Sequence, residues 1–180
     1  MITEPTSKEN LAITPLHQVC KSAHTNDQGY AQAAALLTDH GIPVDGWEPG
    51  CNPLWYAVQG RCEDLVNFLL DNGANVNGTL PNIPPIVLCN LTKFEEGVKI
   101  LQILLDRGAN IDAQDPEGWA ILHKAARETS EKTTRMLVKR GAKTRLKDDE
   151  GRKPIDLCMD TGKGRRIAKL LESASRSKRL

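Results

Sequence analysis

The chain has 180 residues, a net charge of +1 at pH 7 and 39% hydrophobic residues. This is enough for one sizeable core, and it argues against a polyanion binder that uses its whole surface. The N-terminus lacks the basic and apolar segments of a secretory signal, and no apolar run approaches the roughly 20 residues of a membrane span. The five cysteines are odd in number and show no paired spacing, as is typical of reduced thiols. We therefore expect a cytoplasmic protein, with the nucleus as the alternative compartment.

The first recurring element is a helix start, marked by a four-residue phrase that returns five times. Thr or Asn opens two of the copies and can cap the free N–H groups of a helix. Proline follows in four copies and suits the first helical position, because the N–H that it lacks has no partner there anyway. The copies are TPLH at 14–17, NPLW at 52–55, PPIV at 84–87, AILH at 120–123 and KPID at 153–156.

A leucine-rich phrase with glycine at its seventh position follows each of the first four helix starts. The glycines are Gly41, Gly73, Gly108 and Gly141, at spacings of 32, 35 and 33 residues. A glycine at this place predicts a left-handed helix C-cap. The fixed period predicts a stacked array, in which no repeat buries its apolar face alone. The phrases are ALLTDHGIPVD at 35–45, NFLLDNGANVN at 67–77, QILLDRGANID at 102–112 and RMLVKRGAKTR at 135–145.

Turn-forming phrases lie between a glycine and the next helix start. QDPEG at 114–118 and KDDEG at 147–151 are both of the Asp-x-x-Gly type. Each unit therefore reads as a helix, a short turn, a second helix and a long protruding turn. We expect Asp148 and Asp149 to lie in solvent at the tip of such a turn.

The two linked phrases resemble the ankyrin repeat over residues 12 to 172, nearly the whole chain. The resemblance implies an all-α solenoid of paired antiparallel helices with projecting β-hairpin-like fingers. It also implies a protein that binds other proteins on a concave side formed by finger tips and first helices, and that is not an enzyme. We predict five repeats at 12–49, 50–81, 82–117, 118–150 and 151–172, after an N-terminal extension at 1–11 and before a basic tail at 173–180.

Repeats one and three depart from the common length. Repeat one carries about six extra residues within CKSAHTNDQGYA at 20–31, and repeat three carries three near LTKFEEG at 91–97. These insertions are tolerated loop growth or a second contact edge. Repeat three also has Pro84 where a capping residue is expected, which removes a side-chain acceptor.

Aligned surface positions predict a partner-binding face. Such positions are normally polar, yet several here are apolar or aromatic and lie beside two cations, as in protein interfaces with an apolar centre and a charged rim. The alternative is that Trp47 and Trp119 merely pack against neighbouring fingers. We expect Lys124 and Arg127 to select an acidic rim on the partner. The candidate residues are Trp47, Tyr56, Leu80, Ile83, Leu88, Trp119, Lys124 and Arg127.

Two other kinds of site, a metal site and a phosphate-binding loop, have weaker support. His17, Cys20 and His24 have a helical spacing that could gather a metal, but no fourth ligand is evident and Cys20 fills a small-residue packing slot. The stretch GKGRR at 162–166 lacks the pattern of a phosphate-binding loop. We expect no metal, no cofactor and no enzymatic activity.

The expected function is the binding of a folded protein on the concave face, as an adaptor, an inhibitor or a host-directed interaction protein. We expect a monomer that does not enter a membrane. The alternative is a charge-driven binder of nucleic acid or acidic surfaces, since the net charge is −7 over residues 1–138 and +8 over residues 139–180. No aromatic residue lies among the cations of the C-terminal stretch, which weakens a role in stacking on single strands. The stretch is otherwise a solvated cap helix with a basic tail, and nucleic acid is not the expected partner.

Overall fold

A computed structural model describes residues 14–23, 28–46, 52–78, 83–89 and 95–177. Over these residues the chain forms successive pairs of antiparallel helices and no β-strand. The α-helices are α1 (Pro15–Ser22), α2 (Gln28–Asp39), α3 (Pro53–Gly60), α4 (Glu63–Asp71), α5 (Glu95–Asp106), α6 (Ile121–Arg127), α7 (Glu131–Lys139) and α8 (Gly162–Ser177). Two short 3-10 helices, Pro85–Leu88 and Pro154–Leu157, take the place of the first helix in repeats three and five.

The predicted helix starts are confirmed in repeats one and two. The hydroxyl of Thr14 accepts from the backbone N–H of His17, and the ring Nδ1 of His17 lies 3.0 Å from the backbone N of Thr14, from which it accepts. The side-chain oxygen of Asn52 accepts from a backbone N–H of α3 at 2.8 Å. Ala120 has no side-chain acceptor, yet its N–H donates to the ring of His123 at 3.1 Å. The histidine of this phrase thus closes a helix start even where the capping residue is missing.

The predicted glycine caps are confirmed in all four repeats that carry them. Gly41, Gly73, Gly108 and Gly141 have φ values of 86°, 87°, 86° and 95°. After each of them, the next N–H donates back to a carbonyl five residues earlier in the helix, which satisfies one of its orphan acceptors. A residue with a β-carbon would be strained in this left-handed conformation.

Repeats three and five differ from the predicted pair of full helices. Pro84 makes no capping hydrogen bond, as expected, and the 3-10 helix after it ends when Cys89 turns extended, at φ −59° and ψ 115°. Cys158 ends the equivalent element of repeat five in the same way. Helix α8, in turn, reaches Ser177, five residues beyond the predicted end of the repeats. Its apolar stripe is buried through Leu171, which is 1% exposed.

Two threonines are buried in the layer of second helices. Thr133 and Thr134 of α7 are at most 1% exposed, at positions where α4 and α5 hold the apolar pairs 65–66 and 100–101. Both hydroxyls have a partner at the helix start: Thr134 donates to the carbonyl of Ser130 at 2.9 Å, and Thr133 accepts from the hydroxyl of Ser130 at 2.8 Å. A buried hydroxyl costs stability only when it lacks such a partner.

Side-chain oxygens link each finger to the next one. The acceptor lies four residues after the cap glycine, and the donor is a backbone N–H of the following repeat. The bonds run from Asn75 N to Asp45 at 3.0 Å, from Asn110 N to Asn77 at 2.8 Å and from Lys143 N to Asp112 at 2.8 Å. Within the described fingers, β pairing is confined to one antiparallel bridge between Gln114 and Ala120.

Candidate functional site

A groove opens where finger four (residues 109–119) and finger five (residues 142–152) face the first helical elements that follow them, in repeats four and five. Its volume is about 1120 Å³. Three of the predicted site residues, Trp119, Lys124 and Arg127, lie in its wall. The lining residues are Asp115, Pro116, Glu117, Trp119, Lys124, Arg127, Glu128, Asp149, Glu150, Arg152, Asp156, Leu157 and Met159.

Trp119 is held in place by its own finger and by two arginines. Its backbone N–H donates to the carboxylate of Asp115 at 2.7 Å, which closes the turn of finger four. The guanidinium carbons of Arg127 and Arg152 lie over the indole, 5.1 Å and 5.6 Å from its centroid. Such contacts are cation–π interactions, worth about 0.5–1 kcal/mol each at exposed sites. Because Arg152 belongs to finger five, Trp119 packs against the neighbouring finger and also lines the groove.

Lys124 is already paired within the protein. Its ammonium lies 3.2 Å from the carboxylate of Asp115 and donates to the carbonyl of Val87 at 2.8 Å. The side chain is half-buried, and it ties the first helical element of repeat four to that of repeat three. Its positive charge is therefore balanced inside the molecule.

The expectation that Asp148 lies in solvent is wrong. Its side chain is fully buried, and one oxygen accepts from the Nε of Arg152 at 2.8 Å. The other oxygen accepts from the backbone N–H groups of Glu150 and Arg152, at 3.1 Å and 2.8 Å. Burial raises the pKa of Asp148, but the hydrogen bonds from Arg152 and its charge outweigh burial, so that the pKa lies below its usual value. Asp149, the next residue, is exposed as predicted.

The groove carries more negative than positive charge. Its lining has six carboxylates and three cations. Of these carboxylates, Glu117, Asp149 and Asp156 form no ion pair with any described lysine or arginine. The expectation of an acidic rim on the partner therefore runs against the charge of this groove.

Three other predicted site residues lie away from the groove. Tyr56, Ile83 and Leu88 are partly buried and pack against the hydrophobic core. The ring of Tyr56 makes edge contacts with Trp55 and His17, at centroid distances of 5.1 Å and 6.2 Å. Trp47 and Leu80 lie outside the described residues. A role in partner binding stays a prediction for all eight candidates.

Two of the three candidate metal ligands, His17 and Cys20, have structural roles. Burial lowers the pKa of His17 to about 4, and its ring accepts from the N–H of Thr14. Burial, with a smaller contribution from Cys62, raises the pKa of Cys20 to about 12, so the thiol stays protonated. His24 lies outside the described residues, among which no three His, Cys, Asp or Glu side chains gather as a metal site.

The comparison with known families agrees with this architecture. The family model for ankyrin repeats, in three copies, matches residues 2–79 and 89–178. The chain belongs to the ankyrin-repeat family. Ankyrin repeats are generally protein–protein interaction modules and are typically not enzymes.

The curated relatives are much longer proteins. The chain is 30% identical over 111 residues to alpha-latrocrustotoxin-Lt1a of Latrodectus tredecimguttatus, a match that covers 62% of this chain and 8% of the toxin. It is 28% identical over 98 residues to human SH3 and multiple ankyrin repeat domains protein 2, covering 54% and 5% of the two chains. It is 32% identical over 126 residues to ankyrin repeat and SOCS box protein 11 of Danio rerio, covering 69% and 40%. The chain thus spans less than half the length of these relatives.

No described helix combines the length and the apolar character needed to cross a bilayer. Even α8, with 16 residues, has mainly charged and polar residues outside its buried stripe.

Proposed function

We propose that this chain binds a folded protein partner through the groove of repeats four and five, as an adaptor or inhibitor. The observation that carries the proposal is Trp119, an aromatic residue fixed in the wall of a groove of about 1120 Å³. Met159, 52% exposed, adds a second apolar side chain. Aromatic and arginine side chains within a polar surround are the usual anchors of protein interfaces.

Preorganisation supports the same proposal. The backbone of Trp119 is held by Asp115, and its indole is held by Arg127 and Arg152, before any partner arrives. Ordering a mobile side chain at an interface costs about 0.5–1.5 kcal/mol, and this groove avoids that cost at its central residue.

Alanine substitution in the groove tests the proposal. A partner captured from cell lysate is identified, purified and titrated with the wild-type chain and with Trp119→Ala. We expect the variant to weaken binding by at least about tenfold, because a buried aromatic anchor is worth about 2 kcal/mol or more. Leu36→Ala is the matched control, since Leu36 is 61% exposed on α2, away from the groove. Unchanged affinity for both Trp119→Ala and Arg127→Ala would rule the groove out.

A second candidate function rests on the outer layer of helices, where charge changes sign along the stack. Helix α4 has three acidic residues and no basic one, and α5 has three acidic residues and one lysine. Helix α7 has three basic residues against one glutamate, and α8 has five against one. Arg166 of α8 pairs with Glu131 of α7 at 3.5 Å, so the two basic helices present one surface.

This α7–α8 surface would suit a nucleic-acid duplex or an acidic protein. Its eight lysines and arginines are all exposed. Binding of a labelled DNA duplex at rising salt tests the candidate, because each neutralised phosphate steepens the loss of affinity with salt. Lys139→Ala with Lys169→Ala is expected to reduce that salt dependence. A duplex affinity that is already negligible at low salt removes nucleic acid as the partner of this surface.

A further inference from the structure

Resting on the proposed function, we infer that the partner segment that enters the groove is basic, with lysine or arginine side chains that lie along Met159, beside Trp119. The inference reverses the acidic rim expected from the sequence. It depends on which charged side chains of the groove already form ion pairs within the protein and which, here called open, do not.

Two of the three cations in the groove are committed to internal pairs. Lys124 is bound by Asp115 at 3.2 Å. Arg152 is bound by Asp148 at 2.8 Å and by Glu150 at 2.7 Å. A carboxylate of a partner would have to displace these pairs, and one of them includes a fully buried aspartate.

The third cation, Arg127, contacts an aromatic ring instead of a carboxylate. The guanidinium of Arg127 lies over the ring of Trp119 at 5.1 Å. Arg127 is exposed, so it can approach a partner while it keeps the indole in position. One such arginine does not offset the open carboxylates around it.

The open carboxylates lie on both fingers and on the floor between them. Glu117 and Asp149 are exposed at adjoining finger tips, which are joined by a hydrogen bond from the N–H of Asp149 to the carbonyl of Glu117 at 3.2 Å. Asp156 is exposed on the 3-10 helix of repeat five, where one of its oxygens accepts from the backbone N–H of Lys153 at 2.8 Å but no described lysine or arginine pairs with it. A cationic group in the groove therefore meets carboxylates from two repeats. A cleft lined by one sign of charge concentrates ligands of the opposite sign.

The apolar part of the groove fits the same kind of segment. Trp119 and Leu157 are half-buried in the lining, and Met159 is 52% exposed. Lysine and arginine carry aliphatic stems that cover apolar surface while the charged end reaches a polar group. A long basic side chain can thus contact Met159 with its stem and a finger carboxylate with its head group.

Binding of two defined peptides tests the inference. The probes are a short fluorescent peptide in which Lys and Arg alternate with Leu, and its counterpart with Glu in place of Lys and Arg. The full chain is compared with a triple variant, Glu117→Gln with Asp149→Asn and Asp156→Asn, which keeps shape and removes charge. We expect the basic peptide to bind the wild type and to lose at least about threefold in affinity for the triple variant, since three exposed charge pairs are removed.

A matched control separates the groove from the charge of the whole molecule. Asp39→Asn with Asp64→Asn and Glu96→Gln removes the same charge from the outer helices and is expected to leave the affinity unchanged. An equal loss in both triple variants, no loss in the groove variant, or tighter binding of the acidic peptide each overturns the inference. If Trp119→Ala releases the purified partner while the groove triple variant does not, the proposed function stands and the basic segment is wrong. If neither variant changes partner binding, both fail.

Discussion

Gly118 supports the groove by letting two fingers touch, and its replacement by alanine is the sharpest test of that contact. Its φ is +78°, and a β-carbon there would lie 2.7 Å from the backbone N and 2.8 Å from a side-chain oxygen of Asp149, and 2.9 Å from the Cα of Asp148. Two of these three atoms belong to the backbone of finger five, so they can move only if the fingers separate. Gly151 has a φ of +76° and open space around the equivalent position, which makes it a matched control.

The expected magnitudes follow from this difference. A residue with a β-carbon in the left-handed conformation costs about 1–2 kcal/mol, and both variants pay that cost. Overpacking against fixed atoms adds about 1–3 kcal/mol for Gly118→Ala alone. We therefore expect unfolding free energies lower by about 2–5 kcal/mol for Gly118→Ala and by about 1–2 kcal/mol for Gly151→Ala.

Urea denaturation followed by circular dichroism measures both changes. The denaturant dependence of the unfolding free energy must stay equal among the variants for the comparison to hold. Equal losses of stability for Gly118→Ala and Gly151→Ala would refute the close contact between the fingers. The basic peptide provides a second readout, because parting the fingers separates the carboxylates that are proposed to bind it.

Three further predictions concern the fold. Since burial lowers the pKa of His17 from 6.5 to about 4, its neutral form stabilises the fold above pH 6.5, and this contribution is lost as the pH falls from 6.5 toward 4; an NMR titration of the ring near pH 6.5 would contradict the assignment. Asp112→Ala removes the acceptor of a finger N–H and is expected to cost about 0.5–1.5 kcal/mol, whereas Asp112→Asn keeps an acceptor and most of the stability in the same urea assay. Gly164→Ala would drive a β-carbon into the carbonyl oxygen of Met159, whereas Gly162→Ala meets no atom and raises helix propensity, so thermal melting is expected to shift down for the first and up for the second.

The periodic features could be predicted because they depend on local chemistry. A glycine after the Leu-rich phrase ends a helix wherever it occurs, and Gly73 and Gly108 do so with nearly identical φ values of 87° and 86°. The histidine of the helix-start phrase likewise acts within its own turn, as the bond from Ala120 to His123 shows. The family, the repeat period and the helix starts follow from such signals.

The sequence could not predict which charged side chains of the groove form ion pairs within the protein, because these pairs depend on how the finger folds. The Asp-x-x-Gly phrase marked a turn, but its aspartate folds inward and accepts the N–H four residues later: Asp115 accepts from Trp119 at 2.7 Å, and Asp148 accepts from Arg152 at 2.8 Å. The same geometry brings Lys124 to Asp115, which removes it from the cations open to a partner. An Asp-x-x-Gly turn with a cation four residues after the aspartate would have been the signal for a buried pair.

The groove and the outer side of α7 and α8 carry opposite charge. The molecule therefore has an electrostatic dipole across the repeat stack, although its net charge is only +1. The groove holds six carboxylates and three cations, while α7 and α8 together hold eight cations and two carboxylates on their outer side. A charged partner is therefore oriented by the field before contact, which accelerates association at low ionic strength. In the proposed complex, dissociation depends instead on the contacts around Trp119, so salt is expected to act on the two rates separately.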